Sequence, residues 1–127
     1  MLLLNTRKFS SKQEQYIAEL LGGKQQSNSG ATAYNKGDVI TDDWLIECKT
    51  TTKPKSSFSI KKEWIDKNFI ERVEMLKPYS AIAFQFEPNG TNYFVVDEET
   101  FKKGWKMSWN FVIRLKEEQQ LVGYLQL

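Results

Sequence analysis

The chain has 127 residues, 18 Lys/Arg against 16 Asp/Glu, no His and one Cys. Those counts exclude Ser-His-Asp and Cys-His catalysis, a histidine general base, an intrachain disulfide and an intrachain Cys/His zinc site. Any catalysis is left to carboxylates, lysines, hydroxyls, a lone thiol or a bound hard metal. With 40% hydrophobic and 27% charged residues, the composition is that of one folded soluble domain. No apolar run reaches the roughly 18–20 residues of a membrane span. Met1-Leu2-Leu3-Leu4 lacks the basic start and cleavage site of a signal peptide, so the cytoplasm is the expected location and no membrane partner is expected.

In chain order, Ser11 and Glu14 have capping-box spacing, which predicts a helix opening at Ser10. Ile17, Leu20 and Leu21 follow at helical spacing, and Gly22-Gly23 stops the helix. Residues 25–35 are polar and small, an irregular connection with room for a short strand. Residues 37–40 and 44–50 read as strands around an Asp42-Asp43 turn. Residues 51–57 form a basic, Pro-containing loop. Ser59 is the expected N-cap of a helix over 60–77, with Ile65, Phe69, Val73 and Leu76 as its apolar stripe and Pro78 ending it. This helix is expected to pack in the core.

Residues 79–86 suit a buried strand, Glu87-Pro88-Asn89-Gly90 a hairpin turn, and 91–96 the returning strand. A short helix follows from Asp97 to about Lys103, closed by Gly104. Residues 105–127 fit strand or helix. Trp105 and Trp109 there serve core packing, base stacking or a dimer seam. The expected fold class is α/β, a mixed central sheet flanked by helices. One domain spans 1–127, with its core at about 10–104 and a C-terminal extension after it.

Charge is uneven along the chain. Residues 1–62 carry 10 basic against 6 acidic side chains, and residues 63–127 carry 8 against 10. The basic cluster around 49–62 is either a solvated loop or a patch for a polyanion.

The chemistry concentrates on Gly37-Asp38-Val39-Ile40 and Leu45-Ile46-Glu47-Cys48-Lys49-Thr50. Alternation puts Trp44, Ile46 and Cys48 on one face of the strand, and Leu45, Glu47 and Lys49 on the other. Asp38, one short turn away, can reach Glu47. Two carboxylates and a strand carbonyl, that of Cys48, suit a hard cation such as Mg²⁺. Lys49 can hold or deprotonate a water or stabilise phosphorane charge. Without such a ligand, the same residues make an ordinary surface hairpin with a Glu-Lys pair.

The Asp38…Glu47-Cys48-Lys49 pattern resembles the PD-(D/E)XK nuclease motif, with Gly37 in place of its Pro. More narrowly, it resembles archaeal-type Holliday junction resolvases and their phage relatives. The likeness runs from residue 10 to about 97. It includes Glu14 on the first helix, Ser27-Asn28-Ser29-Gly30, and Ser56-Ser57-Phe58-Ser59-Ile60 leading into a helix. The resemblance implies a restriction-endonuclease-like fold, Mg²⁺-dependent DNA cleavage with Mn²⁺ as a substitute, and a homodimer making paired nicks in four-way junctions. A phage-encoded member would act in the host cytoplasm. It also implies Asp38, Glu47 and the Cys48 carbonyl as metal ligands, Lys49 as the water-positioning group and Glu14 as an assisting carboxylate. Glu14 serves equally as a helix-capping residue. Ser27 and Ser29 bind phosphate or satisfy a turn. Thr50, Lys53, Lys55, Ser57, Lys61 and Lys62 become candidate phosphate contacts. Restriction enzymes and nickases share the motif, and a non-catalytic DNA-binding module could keep the fold.

Overall fold

A computed structural model describes residues 2–26 and 38–125. The chain falls into two compact units, Met1–Val96 and Asp97–Leu127. The first holds helix α1 (Leu2–Leu21), strands β1 (Lys24–Gln25), β2 (Val39–Ile40) and β3 (Trp44–Lys49), helix α2 (Lys62–Glu74), and strands β4 (Tyr79–Phe84) and β5 (Tyr93–Val95). The second consists of helix α3 (Glu98–Leu125).

The fold is α/β with a five-stranded mixed sheet in the order β1-β2-β3-β4-β5. Only β3 and β4 run parallel, with α2 as the crossover between them; the other neighbours are antiparallel. The alternation read along β3 holds. Trp44, Ile46 and Cys48 join Ile17 and Ala18 of α1, Val39 and Ala83 in one cluster. Leu45, on the other face, is also fully buried. No helix among the described residues is long and apolar enough to cross a membrane.

Four expectations are corrected. First, α1 starts at Leu2 rather than Ser10. No Gly or Pro interrupts residues 2–21, so an existing helix propagates through the capping-box residues. Ser10 Oγ donates to the Arg7 carbonyl at 3.2 Å, a bond made inside a helix. Glu14 therefore sits mid-helix. The predicted end is right: Gly22 has φ +67°, and the Gly23 N–H donates to the Ala18 carbonyl at 2.8 Å.

Second, α2 is shorter than 60–77. Lys61 is its N-cap and makes no side-chain capping bond, so Ser59 does not cap it. Third, α2 is turned about its axis relative to the reading from apolar spacing. Asn68 and Glu71 are buried at 3% and 8% exposure. Phe69, Val73 and Leu76 of the expected core stripe are exposed at 50%, 53% and 89%. Asn68 Nδ2 donates to the Ala81 carbonyl of β4 at 3.1 Å, which anchors the polar row on the sheet.

Fourth, residues 98–125 form one helix, and Gly104 does not close it. A mid-helix Gly costs only about 1 kcal/mol relative to Ala, and no Pro follows it. Asp97 Oδ1 caps the start by accepting from the Thr100 N–H at 3.2 Å. Within this unit Phe101 and Trp105 stack at 6.4 Å between ring centroids, and both are exposed, so Trp105 is not a core residue.

Candidate active site

The β2–β3 hairpin builds the site. Thr41 Oγ1 accepts from the Trp44 N–H at 3.0 Å and tightens the turn. Val39 pairs with Ile46, so Asp38 falls opposite Glu47 at the far end of the ladder. Both the backbone and the side chain of Asp38 are held. Its N–H donates to the Ile46 carbonyl at 3.1 Å, and its carbonyl accepts from the Gln26 N–H at 2.8 Å. Its Oδ2 accepts from the Cys48 N–H at 2.8 Å.

Glu47 and Lys49 project from the other face of β3, both partly buried, with Lys49 Nζ 3.4 Å from Glu47 Oε1. Burial pushes the Glu47 carboxyl above its ordinary range, and the Asp38 charge adds to this while Lys49 and Lys67 oppose it. Glu14 reaches the same place from α1. Its Oε2 accepts from Gln25 Nε2 at 2.8 Å. Its pKa is pushed up to about 7, first by burial, with Gln25 opposing and the neighbouring Asp38 and Glu47 charges adding. Burial also raises the Cys48 thiol, followed by the charges of Asp38, Glu14 and Glu47. The thiol stays neutral and packs in the α1-side core, so only its backbone is available to the site.

The structure thus brings Glu14, Asp38, Glu47 and Lys49 into one electrostatic group. Among the described residues, no three Cys, Asp or Glu side chains close into a metal cage. The donor set expected here is two carboxylates and a carbonyl. Its chemistry fits a hard cation, because the Asp38 charge raises the proton affinity of Glu47 and Glu14, and positive charge would relieve that.

No protein-family model, curated protein or solved structure matches this chain. The chemistry of the site therefore rests on its own geometry.

The remaining candidates separate by position. Thr50 is half-buried, and its hydroxyl donates to Gln85 Oε1 at 2.6 Å, a bond that holds the ends of β3 and β4 together. Lys53, Lys55, Ser57, Lys61 and Lys62 are exposed. Lys61 lies 3.9 Å from Glu63, and Lys62 pairs with Asp66 at 2.6 Å. The loop carrying the first three is pinned by the Lys55 N–H donating to the Phe86 carbonyl at 2.8 Å. Ser27 and Ser29 lie outside the described residues.

Three residues that motif reading passed over shape the site. Buried Gln13, beside Glu14 on α1, places its Nε2 3.0 Å from the Lys49 carbonyl, 3.3 Å from that of Ala83 and 3.1 Å from Asn92 Oδ1. It ties α1 to the strand end that carries the lysine. Gln25 orients Glu14. Trp64, in the first turn of α2, lies under Lys49, with Nζ 4.4 Å from the ring centroid. A glutamine next to the acidic residue of a helix was visible as a signal; the long-range partners were not.

Proposed function

We propose that this chain is a Mg²⁺-dependent DNA endonuclease of the PD-(D/E)XK type with a restriction-endonuclease-like fold. Its favoured substrate is the four-way junction, cut as a homodimer. The observation that carries the reading is the convergence of Asp38, Glu47 and Lys49 at one end of the β2–β3 hairpin, with Lys49 Nζ 3.4 Å from Glu47 Oε1.

Asp38, Glu47 and the Cys48 carbonyl would hold the cation, which supplies Lewis-acid chemistry at the scissile phosphate when bound. Asp38 would do so while its Oδ2 also accepts from the Cys48 N–H. Lys49 holds the attacking water and offsets charge that develops on phosphorus. Glu14 assists from α1 as a further acceptor for water. In-line attack leaves a 5′-phosphate and a 3′-hydroxyl. Exposed Lys53, Lys55, Lys61 and Lys62 supply phosphate contacts, which position DNA without reading its sequence. Paired nicks need a second copy of the site, which a two-fold dimer provides.

The test is cleavage of a synthetic four-way junction beside linear duplex of the same arms, with Mg²⁺, Mn²⁺ and EDTA arms. Metal-dependent cutting confined to the junction is expected. Equal cutting of both substrates would make the chain a different nuclease of this type. Binding with no cutting under any condition would leave a DNA-binding module.

A further inference from the structure

Among the described residues, the Lys49 ammonium lies against Glu47 Oε1 at 3.4 Å and the face of Trp64, whose ring centroid is 4.4 Å from Nζ. The second contact is well inside the roughly 6 Å over which an indole face attracts a cation. Lys61 Nζ lies 5.7 Å from the same centroid, at the edge of that range. Trp64 belongs to the sheet-facing row of α2, along with buried Asn68 and Glu71. The ring is also packed against other aromatic side chains. Phe58 lies 6.4 Å from it, Phe58 stacks on Phe84 of β4 at 5.3 Å, and Phe84 meets Phe86 and Tyr93 at 5.4 and 5.6 Å.

We propose that Trp64 is a positioning residue: its indole face holds the Lys49 ammonium in place beside Glu47. The catalytic consequence rests on the nuclease reading above; the contact itself does not. A lysine has four rotatable side-chain bonds, and a partly exposed ammonium would otherwise sample many positions. The indole supplies attraction without a competing negative charge. A further carboxylate in that place would bind the ammonium more tightly and also compete for the cation. The aromatic face keeps Lys49 fixed without occupying an N–H donor, so donors other than the one facing Glu47 can reach water and phosphate.

Two measurements on the full chain test this. In carbon-resolved NMR spectra, the Lys49 ε-methylene protons, assigned by their loss in Lys49→Met, should lie upfield of the other lysines through the ring current of Trp64. They should return to ordinary positions in Trp64→Leu while the rest of the spectrum is retained. Unchanged ε-methylene shifts in Trp64→Leu would overturn the contact. In junction cleavage with Mg²⁺, Trp64→Leu should lower kcat about tenfold with KM for the junction unchanged, and Trp64→Phe should restore most of it. Progressive fluorination of the tryptophan, which drains the ring face while keeping its shape, should lower kcat step by step. A loss confined to KM, or Phe no better than Leu, would overturn the positioning role. If the wild-type chain cuts no DNA, the nuclease reading fails, and the NMR result still decides the contact.

Discussion

Glu14 carries the most informative single-residue chemistry. Unfolded, its carboxyl has the ordinary value of 4.5; folded, burial and the nearby Asp38 and Glu47 charges hold it at about 7. The folded state therefore binds this proton more tightly than the unfolded chain. Its stabilising contribution is full below about 4.5 and is lost as pH rises through about 7. For a half-exposed group the screened magnitude is on the order of 1–2 kcal/mol. Thermal melts in EDTA should fall in midpoint from pH 5 to pH 8, and Glu14→Gln should flatten part of that slope. An identical slope in the variant would remove Glu14 from the linkage. Asp38 has a second, structural duty, because its carboxylate satisfies the Cys48 N–H at 2.8 Å. Asp38→Ala should therefore cost about 1–3 kcal/mol in urea unfolding besides any activity. Asp38→Asn, whose side-chain oxygen can still accept from that N–H, should cost less.

At the level of elements, α2 shows how apolar spacing misleads. Ile65, Phe69, Val73 and Leu76 have the periodicity of a buried stripe, yet the sheet-facing row is Trp64, Asn68 and Glu71. This row wins because it has specific partners on the sheet: Asn68 donates to the Ala81 carbonyl, and Trp64 covers Lys49. Periodicity reports an apolar face and is silent about what it faces. Phe69→Ser should cost less than about 1 kcal/mol in chemical unfolding of the monomer, and Asn68→Ala about 1–3 kcal/mol. The opposite ranking would return the apolar stripe to the core. In α3, Gly104 is helical, and an added Cβ there meets nothing within 4 Å. Gly104→Ala should stabilise this helix by about 0.5–1 kcal/mol, read as increased ellipticity at 222 nm on warming.

For the whole molecule, the net charge of +2 conceals a basic first half around an acidic site. Lys53, Lys55, Lys61 and Lys62 are all exposed on the chain that leaves β3, as far as the first turn of α2. If they bind phosphates, DNA affinity should fall steeply with salt. Replacing Lys53 and Lys55 together by Gln should weaken binding to every sequence alike and lower the salt slope by roughly one per lysine. An unchanged slope would assign DNA binding to another surface.

Much of this architecture was legible along the chain. Side-chain alternation placed Cys48 in the core and Glu47 with Lys49 on the opposite face, and a short turn brought Asp38 opposite Glu47. Those relations are local, set by the two-residue period of a strand and the reach of a tight hairpin. The Gly22 stop was equally readable, because a left-handed C-terminal residue favours glycine. The start of α1, the run of α3 through Gly104 and the rotation of α2 were not. Each depends on a competition that a weak local signal does not decide: helix propagation past a capping box, a tolerated glycine, a buried amide with a distant carbonyl. The same division holds in the site. The carboxylates and lysine announce themselves by type and spacing within a dozen residues. Gln13, Gln25 and Trp64 matter only through partners that the fold brings from 11 to 79 positions away, such as Glu14 for Gln25 and Asn92 for Gln13. Local backbone chemistry sets which groups stand together on a strand, whereas packing sets which helix face meets them.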